Sequence, residues 1–297
     1  MGLAPAVGLP RVLRACRPGL FMVLWAGLLG QACGGAGQEK EFRFVVYGGS
    51  QGTGPAHHAV VAQIVKLRPE LVLHAGGLVG GGRQASDWKR TLAVTKPLRE
   101  ICSFYGCRGR YEKSAFCEPR QGLPQPQSKG LSYYSFDHRG VHFIALDTEL
   151  RVSRDDEQTE WLREDLPRAR ASHVVVFSHR AVFGAAGRNT IGNGRMFWHP
   201  LFVKHKVRAV FSGGRHLYHR TSQDGVAYFV TGGGGPPLDP VMARRSLLPT
   251  DVAGSFHHCI EFTVSKDQLR GRAVDTEGKT RDEFVLPAAP AAPPPAR

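Results

Sequence analysis

The fold is decided by the stretch Ala209-Val-Phe-Ser-Gly-Gly-Arg-His-Leu-Tyr-His-Arg220. It begins with a short apolar run, which is typical of a buried strand, and then breaks at Gly213 and Gly214. Arg215 and His216 follow the break, so the pattern places polar side chains at the end of a strand. Open α/β sheets bind ligands beyond the carboxyl ends of their strands, and we therefore expect a functional site here.

Three earlier segments have the same pattern, in which an apolar run leads into glycine or into serine and histidine. They are Phe42-Arg-Phe-Val-Val-Tyr-Gly-Gly-Ser-Gln51, Leu71-Val-Leu-His-Ala-Gly-Gly77 and Val174-Val-Val-Phe-Ser-His179. The carboxyl ends of such strands meet at one edge of a sheet. The four segments together predict a single composite site.

Strands and helices alternate in the first half of the chain, and strands dominate the second half. The predicted helices span residues 56–67, 85–99, 155–168 and 200–206. The predicted hairpins pair 131–137 with 141–147, and 256–264 with 269–275. This order favours one α/β domain with two sheets over two separate domains.

The chain begins with a predicted export signal, residues 1–33. Three arginines precede the apolar stretch 19–29, which is too short to span a bilayer comfortably. Residues 34–40 form a Gly-rich tether, 41–284 the globular domain, and 285–297 an Ala/Pro-rich tail that we expect to be disordered. With 42% hydrophobic and 22% charged residues, the composition is that of a soluble globular domain.

Small residues around Cys33 resemble a bacterial lipoprotein processing site, although Gly30 stands where leucine is usual. Lipid attachment at Cys33 is the hypothesis we favour, with simple cleavage and an uncleaved anchor as alternatives. The protein is then an exported cell-envelope lipoprotein or a secreted protein. Removal of residues 1–32, which hold three arginines and no acid, would lower the formal net charge from +14 to +11. That basic surface suits an anionic membrane, whereas scattered cations without a nucleic-acid motif argue against nucleic-acid binding.

Four cysteines follow the signal: Cys102, Cys107, Cys117 and Cys259. In an exported protein we expect them to be paired, and the sequence leaves all three connectivities open. A zinc site built from the first three, with His257 or His258, is the alternative, but the spacing matches no paired C-x-x-C pattern.

The four segments, taken with Gly109-Arg-Tyr-Glu112, resemble the motifs of the calcineurin-like metallophosphoesterases, the family that includes purple acid phosphatases. In that family the motifs are Gly-Asp-x-His or Gln, Gly-Asp, Gly-Asn-His-Glu or Asp, a lone His, and Gly-His-x-His. Their order is matched over about residues 42–235, and Val141-His-Phe-Ile-Ala-Leu-Asp147, Gln158-Thr-Glu-Trp-Leu162 and Thr231-Gly-Gly-Gly-Gly-Pro236 also agree. The resemblance implies a four-layer sandwich of two mixed β-sheets flanked by helices.

The family binds two metal ions through seven ligands and uses them to activate water for hydrolysis of a phosphate ester. Three ligand positions keep a donor here, namely Gln51, His179 and His216. Four ligand positions are replaced, by Gly49, Gly77, Arg110 and Gly214. Tyr111 stands at the position of the catalytic histidine. Both carboxylates are lost, and a guanidinium repels a dication, so we expect no intact metal or catalytic site and no cofactor.

The leading hypothesis is thus a non-catalytic binding or structural module. The alternative is a phosphoesterase of reduced activity, acting on phosphomonoesters or phosphodiesters with one Mn, Zn or Fe ion held by the three remaining donors. A further hypothesis makes the old cleft an anion site for a phosphate-containing ligand, formed by Arg110, Arg180, Arg215, His179 and His216. The simpler interpretation leaves Arg180 and Arg215 in solvent.

A last possibility is a scaffold for protein contacts, with the loop 115–129 as its docking surface, and nothing names a partner. Among the other polar residues, Glu112 is expected to brace a loop and to pair with Arg108 or Arg110. His57 and His58 are expected at the surface, and His74 in the core.

Overall fold

The computed structural model describes residues 41–81, 85–112, 132–184, 190–241 and 248–287. The predicted export signal, its Cys33, the tether, Cys117 and the loop 115–129 lie outside the described residues. No helix within the described ranges is long and apolar enough to cross a membrane.

Within the described residues the chain forms thirteen strands. They are β1 (Phe42–Tyr47), β2 (Leu71–His74), β3 (Ser103–Gly106), β4 (Tyr134–His138), β5 (Val141–Leu146), β6 (His173–Ser178), β7 (Ala209–Ser212), β8 (Tyr218–Gln223), β9 (Val226–Thr231), β10 (Val252–Gly254), β11 (His258–Val264), β12 (Gln268–Asp275) and β13 (Thr280–Pro287). The helices are α1 (Pro55–Leu67), α2 (Ala85–Arg99), α3 (Glu157–Asp165), α4 (Gly192–Phe197) and α5 (His199–Lys204), with a 3₁₀ turn at Leu166–Arg168.

The strands form two mixed sheets. The first sheet has the order β13-β12-β11-β1-β2-β3 and the second β10-β8-β9-β7-β6-β5-β4. Strands β1, β2 and β3 run parallel, as do β5, β6, β7 and β9, while the remaining pairs are antiparallel. The parallel strands β5, β6 and β9 are buried along their whole length, as expected for strands covered on both faces.

The two sheets pack face to face through a layer of phenylalanines. Phe44 stacks on Phe262 with ring centroids 4.8 Å apart and meets Phe143 edge-on at 5.3 Å. A second apolar cluster joins α1 and α2 to the first sheet, and a third joins α3, α4 and α5 to the second. The layers are therefore helix, sheet, sheet and helix, which confirms the predicted sandwich.

A partly buried ion pair joins the two sheets. Arg220 on β8 donates to both oxygens of Asp282 on β13, at 2.7 and 3.1 Å. The Tyr218 hydroxyl donates to the same carboxylate at 2.6 Å, and the Arg220 guanidinium lies 5.1 Å from the centre of the Phe284 ring. These contacts link β13, the last strand of the first sheet, to β8 of the second sheet.

Several predicted boundaries were wrong. The hairpin 256–275 is extended by β13, which pairs with β12 and continues to Pro287, so the tail does not begin at 285. The segment 200–206 is preceded by a second short helix, α4, where the Gly- and Asn-rich sequence of residues 184–195 predicts a loop. Gly194 lets α4 lie close to Val182, since a Cβ there would be 3.3 Å from that side chain, and Trp198 directly after α4 is fully buried.

Two of the cysteines contradict the expected pairing. Cys102 and Cys259 are free thiols within the described part of the chain. Burial raises the pKa of Cys102 to about 11 and that of Cys259 to about 12. Both thiols therefore stay protonated and pack as small apolar groups beside α1 and α2.

Candidate functional site

The loops that follow β1, β2, β6 and β7 meet at one end of the sandwich, as the four sequence segments predict. The Gly49 amide donates to the Gly76 carbonyl at 2.9 Å, and the Gln51 amide to the Gly77 carbonyl at 2.8 Å. The Gly214 amide donates to the His179 carbonyl at 2.7 Å. Backbone hydrogen bonds thus hold these loops together, within each sheet.

The three remaining donor residues lie in this loop cluster. The side-chain amide nitrogen of Gln51 lies 2.9 Å from Nε2 of His216, so these two groups are hydrogen-bonded to each other. His179 is 7% exposed, and burial, with His216 and Arg180 nearby, lowers its pKa to about 4. At neutral pH Gln51, His179 and His216 are therefore uncharged, and Gln51 is already hydrogen-bonded to His216.

The glycines at the replaced positions are closed in by backbone. Gly49 has φ +61° and Gly77 φ +69°, in the left-handed region. A Cβ on Gly49 would lie 2.7 Å from the carbonyl oxygens of both Gly213 and Gly232. A Cβ on Gly214 would lie 2.7 Å from the His179 carbonyl oxygen. At Gly49 and Gly214, any side chain would therefore collide with backbone carbonyl oxygens. Backbone atoms of packed loops cannot shift as the end of a flexible side chain can.

Arg110 and Tyr111 lie in the turn after β3, and both are exposed, Tyr111 by 49%. Arg110 is close enough to His179 for its charge to be one of the minor causes that lower the pKa of that imidazole. Tyr111 therefore faces solvent and not the buried part of the loop cluster.

Neither Arg180 nor Arg215 is simply solvated, contrary to the simpler interpretation of the sequence. The Arg180 guanidinium donates to the Thr190 carbonyl at 3.1 Å. Arg215 forms an ion pair with Asp239, Nε to Oδ2 3.1 Å, and its side chain is 17% exposed. Asp239 was not recognised in the sequence, because it lies 24 residues beyond Arg215 in a Pro-rich segment with no motif. Of the three arginines, Arg215 already has a counter-charge.

Comparison with known proteins finds sequence similarity to purple acid phosphatases. Over 234 residues, 70% of this chain and 52% of the other, the chain is 25% identical to purple acid phosphatase 18 of Arabidopsis thaliana. Over 102 residues, 32% of this chain and 16% of the other, it is 34% identical to a protein named probable inactive purple acid phosphatase 9, also of Arabidopsis. The chain thus spans about half the length of the first of these relatives and less of the second. No protein-family model matches.

Solved structures show the same fold. The purple acid phosphatase PPD1 from yellow lupin (Lupinus luteus) superposes with a TM-score of 0.74 at 18% identity, over 84% of this chain and 54% of that one. The chain therefore has the fold of the calcineurin-like metallophosphoesterase superfamily. GAP50, described as the anchor in the inner membrane complex of Plasmodium, superposes with a TM-score of 0.70 at 13% identity. That match covers 84% of this chain and 90% of GAP50.

The residues present do not fit the two-metal centre of the superfamily. Glycine has no donor atom at positions 49, 77 and 214, and Arg110 cannot lose its proton. In the described part of the chain, no three His, Cys, Asp or Glu side chains form a group that could hold a metal ion. Gln51, His179 and His216 supply three neutral donors, and no carboxylate bridges two ions.

Glu112 is the one buried carboxylate of the five motifs. It is fully buried and accepts hydrogen bonds from the backbone amides of Leu78, Val79 and Gly109. Burial raises its pKa to about 7, against the opposing effect of these amides and of Arg108. Arg108 itself pairs with the buried Asp147 at 3.0 Å, so Glu112 braces the loop through backbone amides and not through an arginine.

Replacing Glu112 with Gln should lower the free energy of unfolding by about 2 kcal/mol, because the new amide NH₂ group would point at a backbone N–H. Glu112→Ala should cost about 4 kcal/mol, since it leaves three buried donors unpaired. Urea unfolding measures both. The matched control is Glu157→Gln on the surface of α3, which should change stability by less than about 0.5 kcal/mol. Equal stability of Glu112→Ala and the parent would contradict the bracing role.

Three further histidines around the loop cluster are buried and neutral. Nε2 of His57 lies 3.3 Å from the Tyr47 hydroxyl, and Nε2 of His74 lies 3.1 Å from the Ser50 hydroxyl. Nε2 of His258 lies 3.2 Å from the Thr231 hydroxyl. Burial lowers the pKa of His57 and of His258 to about 4, and that of His74 well below its usual value. His74 is in the core as expected, whereas His57 is buried and not at the surface.

Stability should therefore fall as the pH drops from 6.5 toward 4. In this window the unfolded chain binds protons at His57, His74, His179 and His258 that the folded chain does not bind, while Glu112 opposes them with one proton. These five groups alone give a net of about three protons, which corresponds to a loss of up to about 4 kcal/mol per pH unit. Burial also lowers the pKa of His173, His216 and His219, which adds to the loss, whereas the raised pKa of His142 opposes it. Urea unfolding at pH 7.5, 6 and 5 measures the slope. His57→Gln should reduce the slope by about one proton and the exposed His58→Gln should not; equal slopes would contradict the assignment.

Proposed function

We propose that this chain is a non-catalytic member of its superfamily that serves as a binding or structural module on a purple acid phosphatase-like fold. The observation that carries the proposal is the closure of Gly49 by the carbonyls of Gly213 and Gly232, at the position where the superfamily places its first metal-binding carboxylate. A relative named probable inactive and a structural neighbour described as an anchor support a role without hydrolysis.

The alternative is a phosphoesterase with a single metal ion. Gln51 and His216 are in contact, and His179 belongs to the same loop cluster, so three donors lie together. A metal ion would have to displace the hydrogen bond between Gln51 and His216 and bind neutral ligands only. Three neutral histidines can hold a catalytic zinc ion, but here one of the three donors is a side-chain amide, a weaker ligand that is already bonded to His216.

Hydrolysis assays separate the two functions. The full chain is assayed with p-nitrophenyl phosphate and bis(p-nitrophenyl) phosphate, with and without added Mn²⁺, Zn²⁺ or Fe²⁺, beside an active purple acid phosphatase. We expect no metal-dependent turnover. Turnover that needs added metal and disappears in His216→Ala would support the alternative and overturn the proposal.

The anion-binding form of this proposal now depends on Arg110 and Arg180, with His179 and His216 at the base, because Asp239 neutralises Arg215. Arg110 is the cation with most freedom to meet a ligand. Titration with inorganic phosphate tests this form: binding should weaken in Arg110→Ala and at high salt. Binding unchanged by both would remove the anion site and leave the structural role.

Export is part of the proposal, and it depends on the sequence before residue 41. Acylation of Cys33 would attach the domain to a membrane by its N-terminal end, and simple cleavage would release it. Mass spectrometry of the exported protein distinguishes the two, with Cys33→Ser as the control. An intact N-terminus in the cytoplasmic fraction would contradict export.

A further inference from the structure

The end of the sandwich opposite the loop cluster is the end at which the described chain begins. Phe42 begins β1 there and pairs with Val264 at the end of β11, so the β11–β12 turn lies at the same level. In the second sheet, His173 begins β6, and its Nε2 donates to the Ser265 carbonyl at 2.8 Å. Both sheets therefore share this end, and the segments that lead from the helices back to the strands lie there too.

Six cations lie at this end, in three turns that meet around His173. They are Arg168 and Arg170 before β6, Lys204, Lys206 and Arg208 before β7, and Lys266 between β11 and β12. The Arg208 amide donates to the Val174 carbonyl at 2.8 Å. Burial, with the Arg208 charge nearby, lowers the pKa of His173. We call these six cationic residues the basic end.

The basic end carries a surplus of positive charge. Three acids border it, namely Glu164, Asp224 and Asp267, which leaves three positive charges unbalanced. Arg168 pairs with Glu164 at 3.2 Å. Arg170, Lys204 and Lys266 are exposed, and none of them has an ion-pair partner in the described part of the chain.

The charges on the α1 side of the same end of the sandwich are balanced. Glu41 and Arg68 line the same hollow, and Glu70 forms an ion pair with Arg139. The surplus is thus confined to the side on which α3 and α5 cover the second sheet.

Local structure explains only part of this surplus. A helix C-terminus favours a cation, which accounts for Lys204 at the end of α5. It does not account for Arg208 at the start of β7 or for Lys266 in a turn between antiparallel strands. Beside Lys204, the Val203 side chain is 38% exposed, so an apolar group lies among the cations.

An anionic bilayer offers complementary charge across a surface as wide as the domain, and each Lys or Arg close to it contributes about 1 kcal/mol of binding. Nucleic-acid sites interleave aromatic side chains with the cations, and at this end no aromatic side chain of the described residues is exposed. We propose that the basic end is the surface on which the domain lies against an anionic phospholipid bilayer, with the loop cluster facing away from the membrane.

This inference rests on the export part of the proposed function. Residue 41 lies at the same end of the sandwich, and Cys33 precedes it by eight residues, so an acylated Cys33 would bring this end to the bilayer. A single acyl chain holds a protein only weakly, and a basic patch supplies the second signal that stable attachment needs. The loop cluster is then open to the surrounding solution.

Hydrogen exchange of the full chain on vesicles shows which end lies on the membrane. The vesicles are phosphatidylcholine with about 30% phosphatidylglycerol, and pure phosphatidylcholine is the control. We expect the amides of residues 168–172 and 204–208 to exchange more slowly on the anionic vesicles, and those of residues 49–52 to be unchanged. Slower exchange at residues 49–52 without a change at the basic end would overturn the proposal.

A triple variant tests whether the cations cause the binding. Arg170→Gln, Lys204→Gln and Lys266→Gln together should lower the ratio of the partition coefficients on anionic and neutral vesicles about a hundredfold. The slow exchange at the basic end should disappear with them. Residues 1–33 are present in every variant, so they do not contribute to the difference.

The matched control is the triple variant Arg151→Gln, Arg154→Gln and Lys279→Gln, which removes three exposed cations at the loop-cluster end. It should lower the ratio less than about threefold, because salt screens charges so far from the bilayer. Both variants should keep the melting temperature of the parent, since all six side chains are exposed.

Two further results would contradict the proposal. Equal ratios for the two triple variants would show that only net charge matters. Equally tight binding of a double-stranded DNA, lost in the first triple variant, would make a nucleic acid the partner of the basic end. Neither result changes the hydrolysis assays or the mass spectrometry of Cys33, so failure of this inference is distinct from failure of the proposed function.

Discussion

Gly49→Asp should lower the free energy of unfolding by about 3 kcal/mol and should not create a metal site. This substitution restores the carboxylate that the superfamily uses as its first ligand. The aspartate would have to adopt φ +61°, and its Cβ would lie 2.7 Å from two carbonyl oxygens that belong to packed backbone. The left-handed conformation costs about 1 kcal/mol for a residue with a Cβ, and overpacking adds about 1–3 kcal/mol.

Gly54→Asp is the matched control for this prediction. Gly54 caps the start of α1 with φ −64°, and a Cβ there meets nothing within 4 Å. An aspartate at a helix N-cap accepts hydrogen bonds from the first turn, so stability should be unchanged or rise by a few tenths of a kcal/mol. Urea unfolding of both variants, with and without Mn²⁺, gives the comparison. A Gly49→Asp protein that is as stable as its parent, or that is stabilised by Mn²⁺, would show that the position is still open to a ligand.

Asp282→Ala should lower the free energy of unfolding by about 4 kcal/mol, as much as we expect from Glu112→Ala. The carboxylate is 8% exposed and holds Arg220 with two hydrogen bonds and Tyr218 with a third. Its removal leaves a partly buried guanidinium and a buried hydroxyl without their partner, and breaking a buried pair from one side typically costs about 3–5 kcal/mol.

The neighbouring Glu283 provides the control, because it lies on the same strand and faces outward. Glu283→Ala should change stability by less than about 0.5 kcal/mol. Asp282→Asn should fall between the two, since the amide oxygen still accepts from Arg220 or Tyr218. If Asp282→Ala and Glu283→Ala were equally stable, the link between the sheets would contribute nothing.

The order of strands and the meeting of four loops could be predicted from the sequence, because each loop follows an apolar run at a glycine or a serine–histidine pair. The last strand, β13, could not be predicted, because Asp282 stands where the alternating pattern of a strand requires an apolar residue. That aspartate faces inward and is tolerated only because Arg220, 62 residues earlier, neutralises it. Period-two patterns fail where a buried charge has its partner in a distant part of the chain.

The sequence predicts which residues of the site lie together, but not which of their side chains are bonded to each other. Gln51, His179 and His216 lie together as the motif order implies, whereas the hydrogen bond from Gln51 to His216 and the pairing of Arg215 with Asp239 depend on tertiary packing. The burial of His57 was also missed, because only the fold brings its ring against Tyr47. The closure of Gly49 by neighbouring carbonyls leaves no trace in the sequence beyond the glycine.

The most direct test of the central claim is the metal content per chain, measured by elemental mass spectrometry on tag-free protein incubated with Mn²⁺, Zn²⁺ and Fe²⁺ and then desalted. Loss of the two-metal centre predicts far less than one metal ion per chain. One ion per chain that disappears in His216→Ala would favour the single-metal phosphoesterase. Two ions per chain would contradict the account, because side chains other than those at positions 49, 77, 110 and 214 would then complete the centre.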